Sequence, residues 1–402
     1  MNPRNAKNLV SASIVLAESD AIAIYASRDA GRSWSRATQN PGGGTRFPGL
    51  DPAVAFDPDG TAYFISIDSS AAVAVWRSSD GGFTWSGPSA VPGAGWDRTW
   101  IACAESAPTT NAERVFVAGK LPVTVFGEIA RDIVGFSASS DAGATFRFPR
   151  LFLPRPDEDV LNVVSDLLVD THGRVVLTLE LFPPGVVHDE LLGGSYATIA
   201  SEDGGRTFSP PRRGPEFHAY GHAAEGKSLF GLGGAKMAVD RTAGPRRGRL
   251  YLAWLDAVEG FYRVRAASSS DGGATWTGPA FVGSAPAADA STPAIAVDGN
   301  GTVGVAWYDR RADDMGGCYQ LFFAASRDGG ASFSPAQALD ETPTCPLGPR
   351  VSSADPLTSE YRFKNGGDTQ GIVGLPGGGF QLAWIRAGAR EMQLWSTSVE
   401  VR

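Results

Sequence analysis

The sequence predicts an all-β chain folded as a single β-propeller of four-stranded antiparallel blades, with seven blades favoured over six. Two observations carry that expectation. A hairpin motif, Ser-x-Asp-x-Gly-x-Ser/Thr followed by Trp or Phe, recurs six times, and short apolar runs of strand length recur in the segments before each copy. Composition agrees: 43% of residues are hydrophobic and 19% charged, with 50 Gly and 27 Pro in 402 residues. Such a chain is turn-rich and has ample apolar material for a core. A repeat array grows as one closed body, so residues 1–402 are read as one domain.

The six copies are SRDAGRSW, SSDGGFTW, SSDAGATF, SEDGGRTF, SSDGGATW and SRDGGASF, with their acids at Asp29, Asp80, Asp141, Asp203, Asp271 and Asp328. Each reads as a hairpin tip. The Asp carboxylate accepts N–H bonds of its own turn, and the Gly two residues later supplies a positive φ. The hydroxyls and the aromatic ring then fix the turn against its blade. These six acids are structural on that reading.

Ahead of each hairpin after the first come a first run (PAVAF at 52–56, PAIAV at 293–297), a second (TAYFISID, RLYLAWLD, TVGVAWYD) and a third leading into the motif (AVAVWRSSD, QLFFAASRD). Each is short, apolar and closed by turn residues, as buried strands are. The strand after the hairpin makes four per unit, which is a propeller blade. The first unit lacks its first strand, and a degenerate seventh unit ends the chain without its last. That count favours seven.

In a four-stranded meander the first-to-second turn and the hairpin after strand three share one end, and the remaining connections share the other. The hairpin end has only tight turns such as DPDG and GNG. The opposite loops are longer and polar, so binding residues are sought there. They hold Arg46, Asp51, Asp97, Arg98, Glu128, Arg131, His188, His218, His222, Glu225, Tyr308, Arg310, Arg311, Tyr361, Arg362 and Asp368. Asp51, Asp97 and Asp368 each precede an innermost strand, where a ring of carboxylates would bind a cation or polar ligand, or cap turns. Arg98, Glu128, Arg131, Glu225 and Asp368 are the candidate substrate contacts.

The hairpins, known as Asp boxes, and the blade pattern resemble the sialidase (neuraminidase) superfamily over almost the whole chain. That resemblance implies a glycan-directed glycoside hydrolase with three arginines on a substrate carboxylate, an Asp acid/base and a Tyr nucleophile assisted by a Glu. Its Arg-Ile-Pro motif is matched most nearly by Thr45-Arg46-Phe47-Pro48. The other arginines are then Arg310 or Arg311 and Arg362, the nucleophile Tyr361 or Tyr308, and the acid Asp51 or Asp97. The same superfamily includes other glycoside hydrolases and secreted proteins of no known reaction.

Two other classes compete. A non-catalytic propeller would bind glycan or protein through loop aromatics such as Trp96, Phe126, Phe217, Tyr220 and Phe261. A metal-assisted hydrolase would use His188, His218 and His222, the last two with Glu225 in a His-x-x-x-His-x-x-Glu string. No other cofactor is called for.

Net charge is −8, from 35 basic and 43 acidic residues with no long run of like charge, which argues against a nucleic-acid partner. No apolar stretch is long enough to span a membrane as a helix. The start has no apolar signal segment, and the chain is expected as an exported, mature and monomeric protein. Cys318 and Cys345 flank the same loop region and are candidates for a disulfide, with Cys103 as a buried thiol.

Overall fold

The computed structural model describes residues 1–15, 21–40, 43–104, 114–125, 128–152, 160–182, 193–219, 234–283, 288–313, 317–346, 366–367, 369–387 and 392–401. The fold is an all-β, seven-bladed β-propeller of small antiparallel sheets, with no helix among the described residues. Seven sheets decide the blade number against six.

The first sheet holds β1 (Leu9–Val15), β2 (Ala21–Ser27) and the two-residue β3 (Ser35–Arg36), with β5 (Phe47–Pro48) also on β2. The second runs β6 (Leu50–Phe56), β7 (Ala62–Ile67), β8 (Val73–Ser78), β9 (Thr84–Val91), and β4 (Thr38–Gln39) adds parallel to β9. The third is β10 (Asp97–Cys103), β11 (Val115–Val125), β12 (Glu128–Ser139), β13 (Arg150–Phe152). The fourth is β14 (Val160–Val169), β15 (Val175–Phe182), β16 (Gly193–Ser201), β17 (Arg212–His218), and the fifth β18 (Lys236–Val239), β19 (Leu250–Val258), β20 (Phe261–Ser269), β21 (Ala280–Phe281). The sixth is β22 (Ala290–Val297), β23 (Val303–Asp309), β24 (Gln320–Ser326), β25 (Gln337–Ala338). The seventh keeps three strands, β26 (Gly371–Gly374), β27 (Phe380–Ala387) and β28 (Met392–Val399). Apart from β5 on β2 and β4 on β9, neighbours in sequence are neighbours in each sheet, so each blade is built on a meander.

The chain divides into two compact units, unit 1 being Met1–Glu180 with Thr198–Pro211 and unit 2 being Leu181–Ala197 with Arg212–Arg402. In unit 1, Phe47 lies edge-on to Phe64 and Trp76 at 5.7 and 5.4 Å, and Phe64 edge-on to Trp85 at 5.9 Å. This aromatic layer joins Ile22, Ile24 and Ala62 in one core cluster. In unit 2 the alternating inward residues of β19, β20, β22 and β23, among them Tyr251, Leu255, Val264, Ile295 and Trp307, form another.

The six aspartate hairpins are superposable in chemistry. Each Ser Oγ donates to the Asp two residues on, at 2.7–2.8 Å, and accepts the Gly N–H four residues on, at 2.7–2.9 Å. The carboxylate also takes the N–H and Oγ of the Ser or Thr four residues further along, as Asp203 does from Thr207 at 2.8 and 2.6 Å. For Asp203, Asp271 and Asp328 desolvation raises the pKa, but these bonds outweigh it and hold each carboxyl down at about 2.

Candidate functional site

At the loop end of unit 1, three features place acids and bases together. Phe47 is fully buried and anchors the segment carrying exposed Arg46, whose carbonyl accepts a bond from Gln39 Nε2. Gly49, at φ +113°, passes so close to β7 that a Cβ would lie 2.6 Å from Ile67 O, so the chain reaches β6 along a path only glycine permits. Beyond it the inner strands β6 and β10 begin with the same irregularity. Pairing slips between Leu50 and Ala53 and between Asp97 and Trp100, and Asp51 and Arg98 sit in the left-handed region at φ +49° and +48°. A bulge re-aims the side chains around it, and a left-handed non-glycine costs about 1–2 kcal/mol. The consequence is a tie between strands: Arg98 N donates to Asp51 Oδ2 at 3.4 Å. Asp97, with its side chain 48% exposed, pairs with its cross-strand partner Lys120 at 3.3 Å.

Unit 2 repeats the device at β22, where pairing slips between Ser291 and Ala294 and Thr292 has φ +51°. Thr292 Oγ1 donates to Gly367 O at 3.3 Å, and Gln370 Nε2 donates to Thr292 O and to Ala306 O. Nearby, Arg311 clamps Asp309 through Nε at 2.8 Å and Nη2 at 2.7 Å while lying over the Phe322 ring at 4.2 Å. Trp307 Nε1 donates to the same Asp309 at 3.0 Å. Cys318 and Cys345 are joined in a disulfide, and Cys103 is a free thiol.

These contacts correct several expectations. Tyr308 is fully buried against Tyr319, and its hydroxyl accepts Ile385 N–H at 3.1 Å. Burial pushes its pKa well above that of a free phenol, and it has no path to act as a surface nucleophile. Arg310 is buried, and Arg311 is consumed by Asp309 and Phe322, so neither is presented as a substrate grip. Glu128 and Arg131 do not lie in a loop: β11 and β12 pair as far as Val125 and Glu128. Trp96 and Phe217 turn inward and are buried. Tyr361, Arg362, Asp368, His188, His222 and Glu225 lie outside the described residues.

Of the proposed metal set, His218 alone is described, at the end of β17. Its Nδ1 lies 3.0 Å from Asp256 Oδ1, a contact sequence reading missed because the partners are 38 residues apart on different sheets. Among the described residues no group of three or more His, Cys, Asp or Glu comes together to hold a metal ion.

No protein-family model matches the sequence, and no curated protein matches it. Solved structures do. The chain is similar to the Hadza microbial sialidase Hz136 at a TM-score of 0.53 and 14% identity, over 87% of this chain. It spans 65% of the length of that sialidase. It is also similar to an α-L-arabinofuranosidase of Fusarium graminearum at a TM-score of 0.50 and 12% identity, over 87% of this chain and 92% of that one. At such identities the likeness is one of fold, a sialidase-like propeller. No helix of the described chain is long and apolar enough to cross a membrane.

Proposed function

We propose that this protein is a glycan-directed glycoside hydrolase working at the loop end of its blades, with Asp51 and Asp97 as its carboxyl pair. One observation carries the reading: Asp51 Oδ2 lies 3.4 Å from the main-chain N of Arg98, which places it beside the residue following Asp97. Two carboxyl groups on neighbouring inner strands supply what acetal cleavage requires, an acid for the leaving oxygen and a base or nucleophile at the anomeric carbon. Exposed Arg46 stands five residues before Asp51 and exposed Arg98 directly follows Asp97, and guanidinium groups suit an anionic sugar. Strained backbone at the start of β6 and of β10 supports a functional reason for the bulges.

The test is a panel of fluorogenic glycosides, a sialoside and an arabinofuranoside included, assayed with wild-type protein and with Asp51→Asn and Asp97→Asn. At least one glycoside should be cleaved, and each variant should lower kcat by about 100-fold or more. Glycan binding without turnover on any glycoside would remove the hydrolase reading in favour of a binding propeller.

A further inference from the structure

Unit 2 carries an oriented imidazole that the carboxyl pair does not use. His218 has its side chain 62% exposed, whereas that of Asp256 is 5% exposed. Asp256 Oδ1 accepts the His218 main-chain N–H at 2.8 Å and faces its Nδ1 at 3.0 Å. Asp256 Oδ2 faces Arg265 Nε at 2.8 Å, and that guanidinium lies over the Phe281 ring at 4.3 Å. The carboxylate is therefore fixed from both sides, and it fixes the ring. A carboxylate facing Nδ1 makes that nitrogen the N–H donor, so Nε2 carries the lone pair. Nε2 has no partner among the described residues.

We propose that His218 is a general base that activates water against a carboxylic ester, with Asp256 as its positioning residue and Arg265 holding Asp256. Nε2 takes a proton from water as the water oxygen bonds to the ester carbonyl carbon. The tetrahedral adduct then collapses. Its C–O bond to the alcohol breaks, the electron pair leaves on the alkoxide oxygen, and that oxygen takes the proton from Nε2. Acid and alcohol are released, the imidazole returns to its starting form, and no oxidant or reductant is consumed. An ester fits better than an acetal because the carbonyl carbon accepts a water nucleophile directly, whereas a glycosidic bond first needs its leaving oxygen protonated. This proposal stands apart from the carboxyl pair in unit 1.

The chain supplies its own control. His172 is as exposed, at 67%, but lies on a first-to-second-strand turn with Nδ1 3.9 Å from Asp170, whose Oδ2 is already held by Arg174 at 2.6 and 2.7 Å. It has no comparable orienting contact. Hydrolysis of 4-nitrophenyl acetate by the full chain should be saturable, with a single acidic limb in its pH–rate profile, where a protonated base cannot act. His218→Gln should lower the rate by about 100-fold and abolish that limb, and added imidazole should restore part of it. His172→Gln should change nothing, and Asp256→Asn should lower kcat with KM kept. Should Asp256→Asn fail to fold, the imidazole rescue of His218→Gln still decides the matter. The proposal is overturned if wild type shows no saturable turnover, if the two histidine variants fall equally, or if a chelator removes the wild-type rate and so makes His218 a metal ligand.

Discussion

The two ends of these blades are built by different rules. At the hairpin end, six copies of one hydrogen-bond pattern repeat to within a few tenths of an ångström, and every aspartate has its oxygens filled by its own turn. At the loop end the acids are individual: Asp97 meets a lysine, Asp51 a backbone amide from the next sheet, Asp256 a histidine and an arginine, Asp309 an arginine and a tryptophan. Saturated, repeated acids stabilise hairpins, while chemistry requires donors and acceptors with capacity left over. The comparison predicts that substitutions at the hairpin end show in stability and those at the loop end in turnover.

The largest effect should come from Gly205→Ala, in the fourth hairpin. Gly205 has φ +79°, and a Cβ there would lie 2.1 Å from a ring carbon of Phe136, which is itself fully buried beside Phe208. Left-handed strain of about 1–2 kcal/mol adds to overpacking of about 1–3 kcal/mol, so urea unfolding should show a loss of about 2–5 kcal/mol. A loss under about 1 kcal/mol would mean that the hairpin does not seat on its neighbour.

Acid should act next, and on the same end. The hairpin acids have folded pKa values depressed to about 2 in Asp29, Asp203, Asp271 and Asp328, against an ordinary 3.8. For Asp29 the Ser33 hydroxyl is the first cause. A depressed carboxyl contributes stability that is fully present above its unfolded pKa and lost as pH falls through the folded one. Unfolding midpoints should therefore hold above about pH 4 and drop towards pH 2. Each group is exposed and screened, so the loss per residue is small. Replacing Asp203 and Asp271 by Asn should flatten the slope over that window.

Much of this end was legible in the sequence because it is local. Ser, Asp and Gly stand within five residues of one another, and the chemistry joining them needs no distant partner. A second set of acids, Asp57, Asp170, Asp240 and Asp298, shows where local reading stops short. Their segments are legible as tight turns, yet each carboxylate is buried and accepts turn amides, as Asp298 does from Asn300 and Thr302 at 2.9 Å each. Asp298 also reaches Gly379 N at 2.7 Å, 81 residues away, and nothing local signals that bond. At the loop end the same limit applies throughout. The Tyr-Asp-Arg-Arg run reads as polar loop, but Tyr308 lies within β23 and points into a core whose other wall is Tyr319, just ahead of β24, and Ile385 of β27. His218 and Asp256 meet only because β17 and β19 pack together.

A smaller gain is expected from perfecting the repeat. The residue before the invariant glycine is also left-handed in all six hairpins; four use Gly there, whereas Ala30 and Ala142 adopt φ +63° and +56°. Relief of about 1–2 kcal/mol of strain in Ala142→Gly is offset by the roughly 0.5–1 kcal/mol of extra chain entropy that glycine loses on folding. The net gain should be at most about 1.5 kcal/mol, read as a higher urea midpoint at unchanged m-value. No gain would mean that the alanine is already relaxed.

The smallest change in stability should be the most informative. Asp97→Asn removes one partner of a half-exposed ion pair with Lys120, a contact worth about 0.2–1 kcal/mol at most and weakened further by salt. Its amide oxygen still accepts from Lys120, so unfolding should shift by less than about 0.5 kcal/mol. Glycoside turnover, if Asp97 is one of the reacting carboxyl groups, should nonetheless fall by about 100-fold. A variant that loses stability and keeps its turnover would place Asp97 with the hairpin acids, as one more residue that holds strands in register.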